Sequence, residues 1–308
     1  MDAKAADTIT WPQKTRDFHN HHIDSTRWDG FPFRDDDVVI ATWGKSGTTW
    51  TQQIVGQLVL DGPEGLMSAT GVSPWVEIRI FPRDEVMKGL EGQTNRRFLK
   101  THLPVDTLVF SPKAKYIYIG RDARDVIWSA YHHHQNFTPM AYHVFNNTPG
   151  RVGPPLEPPV DDIREAYHEF LDRDGHPYWP FWSHVQSWWN IRDLPNVLLV
   201  HFNDMKADLK AEMKRIADFL EIDVPEDRWP TYLEHCSLNY MKEEAAKVEI
   251  MDQIFEGGGR TFIYKGTNGR WRDVLSPEEI KKCDEIAAQN LTPDCAHWLA
   301  TGERADLG

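Results

Sequence analysis

The chain has 308 residues, 40% of them hydrophobic, which suffices for a sizeable core, and no shift in composition divides it into two units. Its 34 Lys and Arg against 47 Asp and Glu leave a formal net charge of −13, which excludes a broad nucleic-acid or anionic-membrane surface and singles out each basic residue near a motif. Cys236, Cys283 and Cys295 lack metal-ligand spacing, and no apolar leader or membrane-length stretch is visible, so a cytoplasmic protein without a membrane partner is expected.

Residues 1–30 read as an N-terminal extension. A β-branched run predicts a buried strand over 38–42, which ends in Trp43-Gly44-Lys45-Ser46-Gly47-Thr48-Thr49-Trp50 and passes into a helix over 46–60. That order sets backbone N–H groups, hydroxyls and a lysine at a helix N-terminus, where a phosphate-like anion is stabilised. It is not a Walker A loop, because the required first glycine would fall at Val39, inside the strand. Further strands are predicted over 98–101, 116–120 and 197–202, with helices over 123–135 and 208–220. Strand–helix alternation implies a central parallel sheet covered on both faces, with binding groups at the carboxyl ends of its strands. Two stretches break the pattern: residues 138–180 are proline-rich, with one helical piece near 161–171, and residues 239–270 are polar, then glycine-rich at 257–259. Ser276-Pro277-Glu278-Glu279 opens a capped helix.

Four segments carry chemistry. The first is the Lys45 loop, whose plain alternative is an ordinary strand–helix turn. In Lys100-Thr101-His102-Leu103-Pro104, the histidine has the near-neutral pKa of a general base, and Lys100, two residues earlier, shares its face of the strand. The alternative there is a hydrogen-bonded structural histidine. In the third, Arg121 ends a strand and Ser129 lies about two turns into the next helix, a fork of donors plus a hydroxyl suited to a phosphate. Alternatively Arg121 pairs with Asp125 and Ser129 faces the core. The fourth, Phe262-Ile263-Tyr264-Lys265-Gly266-Thr267-Asn268-Gly269-Arg270-Trp271, reads on its own as a charged glycine turn in a mobile loop.

In order and spacing, across residues 31–279, these segments resemble the cytosolic-type sulfotransferases, which use 3′-phosphoadenosine 5′-phosphosulfate (PAPS). The resemblance implies a single α/β domain over residues 1–308 with a P-loop-kinase-like sulfotransferase fold, with 239–270 as a cofactor lid. It implies transfer of a sulfuryl group to a hydroxyl, phenol or alcohol, or to an amine of a small-molecule acceptor, releasing 3′,5′-PAP. His102 would be the base, with Lys45 and Lys100 stabilising charge. The donor would be held by Lys45, Ser46, Gly47, Thr48, Thr49, Trp50, Arg121, Ser129, Phe202, Ser237, Phe262, Tyr264, Lys265 and Gly266. No metal is required, since a sulfuryl group carries less charge than a phosphoryl group. Trp75, Ile78, Trp179 and Phe181 fall near acceptor-lining segments, with Trp182 beside them.

The sequence departs from the family in places. Tyr264 stands where the family has arginine, a contact left to Arg260 or Arg270; Phe202 replaces a common tyrosine, and Cys236 a common threonine. The dimer motif expected at 272–281 is broken at Ser276-Pro277 and Lys281, which leaves monomer or homodimer open. His184 to Trp189 is expected in the core. His132, His133 and His134 are successive on a helix and point apart, which denies them a three-ligand metal site, while His19, His21 and His22 read as solvated or recognition residues. A P-loop-type nucleotide-dependent kinase and a catalytically silent nucleotide-binding module are the competing functions.

Overall fold

The computed structural model describes residues 9–69 and 71–304. Four parallel strands, β1 (Val38–Thr42), β2 (Phe98–Thr101), β3 (Lys115–Gly120) and β4 (Val197–His201), form one sheet in the order β2-β1-β3-β4. Ile40 is in register with Lys100 on one side and Ile117 on the other, so the four carboxyl ends lie level along one edge.

The strands read as continuous apolar runs because both faces are buried. Val39, Ala41, Leu99, Tyr116 and Tyr118 enter one core, while Val38, Ile40, Phe98, Ile117 and Ile119 enter another on the opposite face. Helices α1 (Thr48–Val59), α8 (Leu209–Leu220) and α9 (Trp229–His235) supply the second core through Ile54, Ile216 and Tyr232. The first is closed by α3 (Ala123–Gln135), α5 (Ile163–Asp172), α6 (Trp182–Trp189), α13 (Pro277–Asn290) and α14 (Pro293–Thr301), through Val126, Phe170, Trp188, Cys283 and Trp298. Burying each such side chain stabilises the fold by roughly 1.5–3 kcal/mol. Short α2 (Arg83–Glu91) and α7 (Phe202–Ala207) lie on the connections.

The expected strands and α3 stand where the sequence put them, with two small shifts. β3 begins one residue earlier, and β4 stops at His201, whose ring accepts from Asn203 N and caps α7. Helix α1 begins at Thr48, not 46. The Pro-rich stretch hides α4 (Pro139–Asn147), whose Pro139 sits in the first turn, where no N–H is needed. The expected lid is also mostly helical: α10 (Leu238–Ala245), α11 (Glu249–Ile254) and α12 (Gly258–Phe262) precede irregular chain. A satellite cluster of Phe137, Ala141, Phe145, Leu156 and Phe255 joins α4 to this region. Ser276 and Glu279 form the expected capping box of α13. Among the described residues, no helix is long and apolar enough to cross a membrane.

Candidate active site

A cavity of about 480 Å³ opens at the carboxyl ends of the strands, floored by the β1–α1 loop and roofed by residues of α10 to α12 and the loop that follows. Among the described residues lining it are six cationic side chains, Lys45, Lys100, Arg121, Lys206, Lys265 and Arg270, and one carboxylate, Asp125. In a chain of net charge −13, that inversion is the footprint of a polyanionic ligand.

The β1–α1 loop turns sharply because Lys45 adopts φ 68° and Gly47 φ 122°. A Cβ at Gly47 would stand 3.0 Å from the Phe202 ring, so only glycine lets the loop close beneath that ring. Gly47, Thr48, Thr49 and Trp50 line the cavity; Ser46, expected among the donor-binding residues, is buried and does not. Its backbone N–H donates to Trp43 O at 3.4 Å. Trp50 Nε1 donates to Cys236 O at 2.8 Å, and its ring meets Phe202 edge to face, 5.5 Å between centres.

His102 follows β2 and is buried. Its Nδ1 lies 2.7 Å from Thr42 O and 3.1 Å from Thr42 Oγ1. A carbonyl oxygen only accepts, so Nδ1 carries the proton and Nε2 keeps the lone pair. Burial, then the Lys100 charge, holds the imidazole pKa well below its ordinary value, so the ring is neutral near pH 7. Lys45 and Lys100 share this environment. Burial, then Lys100 and Arg121, lower Lys45 to about 7; burial lowers Lys100 to about 8 against the pull of Glu77. Lys45 Nζ is 3.0 Å from His133 Nδ1, and Lys100 Nζ stands 4.5 Å over the Trp75 ring.

Sequence reasoning missed Glu77. Its buried carboxylate accepts from Trp28 Nε1 (2.8 Å), Trp75 Nε1 (2.6 Å), Thr101 Oγ1 (3.0 Å) and the His102 backbone N–H (2.6 Å). It thus ties the end of β2 to the cavity wall. The only sequence signal was a lone carboxylate within an apolar stretch, Val76-Glu77-Ile78.

The Arg121–Asp125 pair offered as an alternative does not form. Arg121 donates to Lys45 O, Thr267 O and Asn268 Oδ1 and lies 4.1 Å over the Phe202 ring, while Asp125 Oδ1 accepts from Gly269 N at 2.7 Å. Ser129, Phe262, Lys265 and Gly266 line the cavity, as does Ser237, whose hydroxyl caps α10. Tyr264 lines it too, and beneath its ring Arg270 stands 4.9 Å away, donating to His132 Nε2 at 2.8 Å. Arg260 is exposed and outside the lining. The three successive histidines diverge as their helix dictates: His132 to Arg270, His133 to Lys45, and His134 to the Tyr142 ring, 5.8 Å away.

Trp75, Ile78 and Trp179 line the far end of the cavity. Phe181, expected with them, is turned into the core against Trp43 and Phe170, and Trp182 is buried beside it; both belong to the turn into α6, which faces inward.

A profile of the sulfotransferase domain family matches residues 35–293. A glycolipid sulfotransferase of Mycobacterium bovis is 32% identical over 304 residues, covering 91% of this chain and 93% of that protein. Sulfotransferase 1A1 of Rattus norvegicus is 31% identical over 268 residues, 84% and 86% of the two chains. Among solved structures, mouse sulfotransferase SULT7A1 complexed with PAP superposes with a TM-score of 0.70 at 23% identity, covering 91% of this chain and 93% of that one. Retinol dehydratase in complex with androsterone and PAP gives 0.67 at 23% identity, covering 87% and 84%.

Proposed function

The chain belongs to the sulfotransferase family, and from that premise we propose that it moves a sulfuryl group from PAPS to an acceptor hydroxyl with His102 as general base. The observation that carries the reading is the meeting of a buried, neutral His102 with Lys45 and Lys100 inside a cavity lined by cations. The same family membership argues against a kinase, and the intact Lys45, Lys100 and His102 argue against a silent binding module.

The residues present fit such a donor. The first-turn N–H groups at Gly47 to Thr49, with Lys45, suit the 5′-phosphate, and Trp50 and Phe202 offer ring faces to the adenine. Arg121, Ser129, Lys265 and Gly266 would hold the 3′-phosphate, with Arg270 reaching it past Tyr264 in place of the family arginine. When bound, PAPS supplies the activated sulfuryl group. His102 Nε2 takes the acceptor proton, and its Nδ1–H on Thr42 O fixes the tautomer that allows this. Lys45 and Lys100 supply positive charge to the reacting centre in a buried site, where charge acts strongly.

The acceptor is a small molecule with an apolar body, matched by the aromatic wall of Trp75 and Trp179. The glycolipid named for the mycobacterial relatives is compatible with that wall. The test is incubation with PAPS and a panel of phenols, alcohols and amines, with sulfated products read by mass. Product dependent on PAPS and lost in His102→Ala supports the reading; no product from any acceptor class overturns it.

A further inference from the structure

Besides His102 the cavity wall carries a second buried imidazole, His22, contributed by the N-terminal segment. It is held firmly. Its backbone N–H donates to Asn20 Oδ1 at 2.8 Å, its carbonyl accepts from Arg79 N at 2.8 Å, and its ring stacks on Phe145 with centres 3.9 Å apart.

The protonation of its two nitrogens follows from its neighbour. His21 Nε2 lies 2.9 Å from Pro177 O, and since a carbonyl only accepts, that nitrogen carries the proton. Burial first, then nearby Arg79, lowers the His21 pKa to about 4, so at neutral pH its Nδ1 is bare. His21 Nδ1 pairs with His22 Nδ1, which must therefore donate. His22 is buried and neutral as well, which leaves its Nε2 with a lone pair, and among the described residues no hydrogen bond reaches it.

Trp75 and Trp179 neighbour both imidazoles. The His22 ring centre is 6.3 Å from each, and the His102 centre is 4.8 Å from Trp75 and 5.6 Å from Trp179. An acceptor lying along these indoles would present its reacting hydroxyl to one imidazole and its other end to the second. Building on the sulfotransferase reading above, we propose that His22 Nε2 is a specificity-determining hydrogen-bond acceptor that selects substrates carrying a second hydroxyl across the Trp75–Trp179 wall from the one that is sulfated. The favoured class is thus the diol or bisphenol over the mono-alcohol of the same body.

The test compares matched pairs with PAPS: 2-naphthol against 2,6- and 2,7-dihydroxynaphthalene, and 1-alkanols against α,ω-alkanediols of graded length. Reading kcat/KM as a ratio, diol over mono-alcohol within each enzyme, cancels any general loss in a variant. Wild type should favour the fitting diol by roughly tenfold, the scale of one hydrogen bond in a buried site. His22→Phe keeps the ring stack on Phe145 and should bring the ratio down to about two, the statistical value for a diol with two equivalent hydroxyls, while His22→Gln, which retains an acceptor, should recover part of it. A ratio no higher than about two in wild type at every spacing, or an unchanged ratio in His22→Phe, overturns the proposal alone. Absence of sulfated product from every pair overturns the sulfotransferase reading, and this proposal with it.

Discussion

Lys45 donates its ammonium proton to His133 Nδ1 across 3.0 Å, in a pocket where Lys100 and Arg121 are its nearest charges. The lysine is thus held by a neutral partner among like charges, and its affinity for a proton is low until an anion arrives.

A pH dependence of nucleotide binding follows. With Lys45 at about 7 and Lys100 at about 8 in the free protein, both lose charge between pH 7 and 9. Bound PAP raises both values, because its phosphates favour the charged forms. Below the free pKa values no proton is needed; above them, binding must take up to one proton per lysine, so affinity falls as pH rises. Calorimetry in buffers of different ionisation heat should show uptake near zero at pH 6 and growing toward pH 8.5. Affinity that stays constant across this range would exclude the lysines from the phosphate site.

The stacking of Arg270 on Tyr264 gives a second prediction. Arg270→Ala should weaken PAP by roughly 10–150-fold, the scale of one charge-assisted hydrogen bond of about 1.5–3 kcal/mol, while AMP, which lacks the 3′-phosphate, should change little. Adding Tyr264→Arg to that variant should restore binding by moving the guanidinium to the family position. Arg260→Ala, altering an exposed residue off the cavity, serves as control. Equal losses for PAP and AMP would remove Arg270 from the 3′-phosphate site.

Glu77 offers a stability test. Oε1 receives three donors and Oε2 receives Trp28 Nε1. In Glu77→Gln, the amide oxygen serves the three, and the NH₂ is left facing the indole N–H. Two buried donors then oppose each other, at a cost of about 1–3 kcal/mol. Trp28→Phe removes the opposing donor but also empties core volume, since Trp28 is fully buried, so the double variant should lose less than the sum of the two single losses. Additive losses in a double-mutant cycle would rule out this coupling.

Much of the scaffold was legible because the signal is local. The β-branched run ending at Thr42 and the pattern of 123–135 are fixed by neighbours in sequence, and three of the four motifs fall at strand ends. The region 239–270 misled because its glycines act at a distance. A Cβ at Gly259 would come within 1.9 Å of Ala245 O, so that glycine permits helix packing where composition suggested a loop. Glu77 and His133 were invisible for a related reason: their partners Trp28, Thr101 and Lys45 lie 24 to 88 residues away and meet only in the fold. Phe181 misled the other way, since an aromatic beside the wall in sequence faces the core in space.

The mechanism itself rests on His102. General-base catalysis contributes about 10²–10⁴ in rate, so His102→Ala should lose at least two orders of magnitude in kcat on an aliphatic alcohol. PAP affinity should change little, because the imidazole addresses the acceptor. A phenol of low pKa needs less proton removal, so the loss should shrink as acceptor acidity rises, giving a slope across a graded series that a merely structural defect would not produce. The pH profile supplies a further check. The His102 pKa lies well below 6.5 through burial and Lys100, so the fraction of neutral base is already full at pH 6.5 and the acid limb of kcat/KM falls below that value. With PAPS saturating, so that Lys45 stays charged, the rate should therefore hold between pH 6.5 and 7, and the limb should vanish in His102→Ala. Near-normal turnover of an aliphatic alcohol by that variant would take His102 out of the base role and leave the proton to another group.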